Sequence, residues 1–192
     1  MKPHSLRGIT STYAQSEIST ERFPEVQFIR EDAIDFVSGL PCKSIDRVFA
    51  LDCIYHFSSR TKFLQESSRV LRSDGAIVLT DLIFNDNVSP SQRLIMYIIC
   101  LLTGSPYVNF KTLRAYRQDF GDAGFSDVSV EDISKDVFPG LEAFIHRHLS
   151  EMSKFGIYGN WSGYRIFGWI LNWWNRTGVV RFVVVKGRRY IA

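Results

Sequence analysis

Asp32, Asp52 and His56 are the side chains of this sequence best placed to do chemistry. Asp52 sits near the end of the apolar run RVFALDC (Arg47 to Cys53), and Tyr55 and His56 follow at once. Open α/β sheets bind ligands beyond the carboxyl ends of their strands, so a residue at that point faces a cleft. Asp32 closes a second extended run, VQFIRED, where it either caps a helix or meets a ligand. A lone histidine is more often structural, and a base at His56 is useful only where an acceptor must lose a proton.

Other chemistries lack their residues. His146 and His148 stand two apart, so they share no helical face, and no Cys/His cluster accompanies them. No GxSxG elbow and no GxGxxG after a strand occur, which argues against hydrolase and nicotinamide-dependent dehydrogenase chemistry. Cys42, Cys53 and Cys100 show no CxxC spacing, and the last two read as small hydrophobes in apolar runs.

These residues must be held by a folded core, and 192 residues with 45% hydrophobic content suit one domain. The net charge of +3 is weak, and the basic residues are scattered apart from Lys186, Arg188 and Arg189. No nucleic-acid footprint is expected; those three solvate the end of a strand. The opening MKPHSLRGITS has no apolar signal core, and the stretch Leu94 to Leu102 falls well short of the about 20 residues a bilayer span needs. A cytoplasmic protein, with peripheral membrane contact as an option, is the expectation.

Short β-branched runs alternate with amphipathic stretches, which predicts an α/β layered fold with a largely parallel sheet. Strands are expected at Ser5 to Thr10, Val26 to Asp32, Arg47 to Cys53 and Ala76 to Phe84. A helix capped by Ser11 should run to about Phe23, and a loop should hold Gly39, Leu40 and Pro41. Ser58 or Ser59 caps the next helix, which Asp74-Gly75 closes. Pro90 opens an apolar helix through Leu102 that Gly104-Ser105-Pro106 breaks; another helix spans about Lys111 to Ala123. SDVSVEDIS alternates as a half-exposed strand, Phe138 to Phe155 is helical by period, and an aromatic tract precedes the final strand VVRFVVVKGRR.

Across Val26 to Phe84 the sequence resembles the central part of small-molecule, class I S-adenosylmethionine-dependent methyltransferases. The resemblance is carried by Asp32-Ala33, Leu40-Pro41, Ser44-Ile45-Asp46, Tyr55-His56, Arg69-Val70-Leu71 through Asp74-Gly75, and Asp81, in order. GITSTYAQ (Gly8 to Gln15) is similar to the second-strand turn of the sterol, tocopherol and cyclopropane-fatty-acid subgroup. DAGFSDVSVEDIS matches a late helix-to-strand step. The resemblance implies a Rossmann-like sheet, mostly parallel with its last strand antiparallel, and helices on both faces. The family's Gly-rich turn after a first, central strand does not occur in this sequence. The expectation is one methyltransferase domain over 1–192 that lacks that strand and helix, which leaves two strand edges open. Helical acceptor-site insertions are expected at about 85–125 and 136–177.

The resemblance also implies S-adenosylmethionine as cofactor and assigns roles. Asp32 would accept from the adenine amino group, the Ala33 amide would bind the ring nitrogen, Thr10 and Gln15 would share the ribose, and Leu51 would pack on the cofactor. His56 aligns with the family's strand-four histidine and is the acid/base candidate; Asp52 and Tyr55 would border the acceptor. Trp161, Tyr164 and the neighbouring Phe167, Trp169 and Trp173 either cap an apolar acceptor such as a sterol, prenyl lipid or polyketide, pack as core, or touch a membrane surface. Tyr107 is a further wall of that pocket. A methyltransferase-like binding protein without catalysis is the competing expectation.

Overall fold

The computed structural model describes residues 5–154 and 162–190. The N-terminal unit is β1 (Arg7–Thr10), α1 (Tyr13–Arg22) and β2 (Gln27–Arg30). A helix α2 (Ala33–Gly39) leads into β3 (Ile45–Leu51), a 3-10 turn over Ile54–His56, α3 (Arg60–Val70) and β4 (Leu71–Phe84). Then come α4 (Pro90–Thr103), a 3-10 turn over Tyr107–Asn109, α5 (Leu113–Asp122), β5 (Phe125–Asp132), α6 (Ser134–Lys154), α7 (Ser162–Thr177) and β6 (Val180–Arg189).

Local chemistry sets most boundaries. α4 begins on a reciprocal cap in which Ser89 and Gln92 satisfy each other's amides, with Pro90 in the first turn. It ends at Gly104, whose φ of 69° is the left-handed conformation glycine takes without steric cost. Ser59, not Ser58, caps α3 by accepting from the Lys62 amide. Ser11 caps nothing: Thr12 is the residue before α1, and its side chain makes no cap bond.

Four further expectations are corrected. The segment after β2 is helical because Asp32 accepts from the Ile34 and Asp35 amides and Ile34 and Val37 are buried. α6 starts at Ser134 and passes through Pro139, earlier than the apolar period announced. Asp74-Gly75 does not close α3, which ends at Val70, but lies inside β4. From Ser162 onward the aromatic tract forms α7, with Ile170, Leu171 and Trp174 buried.

The strands form two hydrogen-bonded sheets. β1 pairs parallel with β2, and the larger sheet has the order β3-β4-β6-β5. β3 and β4 are parallel, while β6 runs against both β4 and β5, as expected for the last strand. β1 has only β2 as a partner and β3 only β4, so each leaves one edge open among the described residues.

Strand periodicity then divides the core. Val183 and Val185 of β6 face a cluster with Leu64, Ile77, Leu79, Tyr116 and Phe120. Val180, with Phe182 packed against it, faces a second cluster with Met96, Phe138, Ile170, Leu171 and Trp174. Alternate residues of a strand point to opposite faces, so α3 and α5 cover one side of the sheet and α4, α6 and α7 the other. No described helix is long and apolar enough to cross a membrane.

Candidate functional site

β3 carries the sequence to the site. Its Ala50 is buried while Leu51, at the strand's carboxyl end, is 64% exposed. The chain turns sharply at Asp52, whose φ of 54° is left-handed. That conformation is held from β4, where Thr80 Oγ1 accepts from the Asp52 amide at 2.7 Å. Three residues on, the Tyr55 hydroxyl donates to Asp52 Oδ1 at 3.0 Å. Burial, and then the Asp52 charge, push the Tyr55 phenol well above its ordinary range, so Tyr55 is a neutral donor. The Cys53 thiol is pushed up to about 11, chiefly by burial with Asp81 and Asp52 adding to it, so it offers no thiolate nucleophile.

His56 ends the 3-10 turn with its ring 4.3 Å from that of Tyr55. Two residues that sequence reasoning missed hold it. Ser105 Oγ lies 3.1 Å from His56 Nδ1. Asn109 Nδ2 donates to the Tyr55 carbonyl at 3.2 Å and the Phe57 carbonyl at 2.7 Å, and so brackets His56. The Gly104-Ser105-Pro106 break signalled only a helix end, and Asn109 carried no signal because its partners lie far away in sequence.

Thr10 and Gln15 are brought together: Thr10 Oγ1 donates to Gln15 Oε1 at 2.7 Å, at the carboxyl end of β1. Asp32, beyond β2, uses Oδ1 to accept from the Ile34 amide at 2.8 Å and the Asp35 amide at 3.2 Å, and Ala33 opens the helix. Tyr107 packs its ring against Phe84 and Tyr97 at 5.8 and 5.6 Å, as part of the second core cluster. Tyr164 lies on α7, its ring 6.3 Å from His148 of α6. Trp161 falls outside the described residues.

Behind the site, Asp81 of β4 is fully buried. It accepts from Arg60 Nη1 at 3.0 Å, from the Tyr116 hydroxyl at 2.9 Å and from the Leu82 amide at 2.8 Å. Burial raises its pKa, and Arg60 leads the groups that oppose that rise. The Arg60 guanidinium also lies 4.4 Å from the Tyr116 ring centroid, so α3, β4 and α5 are pinned together at one point. No group of three or more His, Cys, Asp or Glu that could hold a metal occurs among the described residues.

Residues 5–79, from β1 into β4, match the family described as a methyltransferase domain. That match and the fold described above support a class I S-adenosylmethionine-dependent methyltransferase. Erythromycin 3''-O-methyltransferase of Saccharopolyspora erythraea is 26% identical over 165 residues, which cover 80% of this chain and 53% of that protein. The chain thus spans about half the length of that curated relative. A putative sarcosine dimethylglycine methyltransferase from Galdieria sulphuraria superposes with a TM-score of 0.80 at 15% identity, over 97% of this chain and 70% of that one. Geranyl diphosphate C-methyltransferase from Streptomyces coelicolor A3(2), in complex with Mg2+, geranyl diphosphate and S-adenosyl-L-homocysteine, superposes with a TM-score of 0.72 at 16% identity. That match covers 95% of this chain and 62% of the other. At these identities the superpositions speak for the fold.

Proposed function

We propose that this chain is the cofactor- and acceptor-binding body of an enzyme that methylates a small, apolar acceptor with S-adenosylmethionine. The observation that carries the reading is the set of side chains at the carboxyl ends of the parallel strands. Thr10 with Gln15 stands after β1, Asp32 with Ala33 after β2, and Leu51 with Asp52 after β3. Strand ends are where open α/β sheets bind ligands, and these residue types fit an adenosine: paired hydroxyl and amide for a ribose, acid and amide for adenine, exposed leucine for a ring face.

When bound, the cofactor supplies a methyl group already activated on a sulfonium. What remains for this chain is to position the acceptor and exclude water. Asp52 and Tyr55 border the acceptor as a fixed pair, and His56 touches it from the adjoining turn. Two features support an apolar acceptor. One is the apolar stripe on the outer side of α4, where Leu94, Ile98, Leu101 and Leu102 are exposed. The other is the prenyl diphosphate bound by one structure of the same fold. In this reading α4 to α7 form the acceptor side of one domain. On α7, exposed Ile166 and Trp169 share the outer stripe with Arg165 and Arg176, and the helix has no acid, which suits contact with an anionic membrane surface. Flotation with anionic vesicles tests that part; a chain that stays with the soluble fraction removes it.

A non-catalytic reading draws on the unbridged edges of β1 and β3, because no strand among the described residues ties the two halves of the cofactor site. Calorimetric titration with S-adenosylhomocysteine decides between the two. Saturable binding that Asp32→Ala weakens more than acceptor binding is expected; a folded chain that takes up none favours the binding protein.

A further inference from the structure

The second face of the larger sheet is only half covered. The strand register sets Arg47 of β3 beside Ala76 of β4 and Arg188 of β6, and Phe49 beside Val78 and Lys186. Val184 stands one row further, beside Thr80. Registered neighbours project to one side of a sheet, here the side on which Leu82 and Phe84 meet α4, α6 and α7. Beyond those helices the face lies open: Phe49 is 62% exposed, Lys186 and Arg188 are exposed, and Ala76, Val78 and Val184 are half-buried. On the opposite side of the same strands Ile77, Leu79 and Val185 are completely buried. Parallel pairs such as β3 and β4 normally carry cover on both faces.

The open half also has a charge. Lys186 and Arg188 make no ion pair among the described residues, and Arg47 reaches only the Asp46 and Asp74 carbonyls. Within these rows the acid is Glu131 of β5, beside Val184.

We propose that this half-face docks an amphipathic helix of a partner protein, its apolar stripe on Phe49, Val78 and Val184 and its acidic edge over Lys186 and Arg188. The dimensions fit, since two strand spacings from β3 to β6 make about 10 Å, the breadth of one helix. The neighbouring half of the same face is already covered by helices. That layer stands about 10 Å above the sheet, so the open half is a recess beside a step, which a flat membrane does not enter. A second copy of the chain fits the charge poorly. Its helices with apolar outer stripes, α4 and α7, bring Arg93, Arg165 and Arg176 and no acid. Leu51 ends the open rows at the candidate cofactor site, so the docked helix lies beside that site. The docking itself rests on register, burial and charge, not on the site's reading.

The test is fluorescence anisotropy of a labelled synthetic helix, with leucines at helical spacing flanked by glutamates, titrated with the full chain at low ionic strength. The comparison peptide has lysine in place of every glutamate. Saturable binding of the glutamate peptide is expected, roughly tenfold tighter than that of the lysine peptide and weakened by added salt. Phe49→Ala should weaken it about tenfold, the loss of one buried anchor, and Lys186→Glu with Arg188→Glu should invert the preference. These side chains are exposed, so the variants keep the fold, which circular dichroism checks. Absent binding, equal affinity for the two peptides, or binding that survives the substitutions overturns the proposal. So does a dimer in sedimentation that Phe49→Ala dissociates, which gives the face to a second copy. Vesicle binding that Phe49→Ala abolishes overturns it too, and gives the face to a membrane.

Discussion

Two parts of this molecule differ sharply in how they are held. The larger sheet carries helices on both faces, and Leu64, Ile77, Leu79, Ile83, Tyr116 and Phe120 are completely buried. The N-terminal unit buries nothing: β1 and β2 are exposed or half-exposed throughout, and α1 has no buried residue. Yet Thr10 and Gln15 belong to the second part, and Leu51 to His56 to the first. The candidate site therefore spans a well-packed half and a lightly packed one, joined through α2, whose Ile34 and Val37 reach the core. Rigidity is concentrated where an acceptor would be oriented, whereas the implied ribose contacts sit where the backbone has least support.

The largest effect that would sharpen this contrast lies at Asp81. Asp81→Ala strands the buried Arg60 cation and the Tyr116 hydroxyl, and should cost about 3–5 kcal/mol in urea unfolding, the penalty for one partner removed from a buried pair. An unchanged midpoint would mean that the pin is idle. Leu79→Ala should cost roughly 2–5 kcal/mol through its cavity, whereas Ile18→Ala on α1, 62% exposed, should stay within about 0.5 kcal/mol. Equal losses at the two positions would break the comparison outright.

Asn109→Ala falls between these. It leaves the Tyr55 and Phe57 carbonyls of the turn around His56 without their donor, at about 1–3 kcal/mol in thermal unfolding, and it should disturb the His56 ring signal as well. Asp32→Ala is smaller still as a stability change, about 0.5–2 kcal/mol for the lost α2 cap. Hydrogen exchange gives the overall check. Amides of β1, α1 and β2 should exchange well before those of β4 and β6, and S-adenosylhomocysteine should narrow that gap by slowing the former. Uniform protection across the chain would show that the N-terminal unit has support beyond its own packing.

Much of this was legible in the residues. The apolar run before Phe84 announced β4, the Pro90 and Gly104 boundaries framed α4, and clean alternation in SDVSVEDIS marked β5. In each case a local rule and the tertiary environment agree. α2 was not legible, because a seven-residue helix has too few turns to show a period and its Gly39 resembled loop chemistry. Thr10 and Gln15 are close in sequence, so their pairing followed once the turn was identified. Ser105 and Asn109 were hidden, since 49 and 52 to 54 residues separate them from their partners.

The sequence by itself determined which segments become strands and helices, and which acids end the strands. Those properties depend on spacing, capping and hydrophobic period over a few residues. Only the tertiary structure decided that Asp81 is a buried anchor, that Asp52 is paired with Tyr55, and that the outer wall of His56 comes from the end of α4. The physical reason is that a polar side chain takes its role from the partner that satisfies it, and burial recruits partners by proximity in space rather than along the chain.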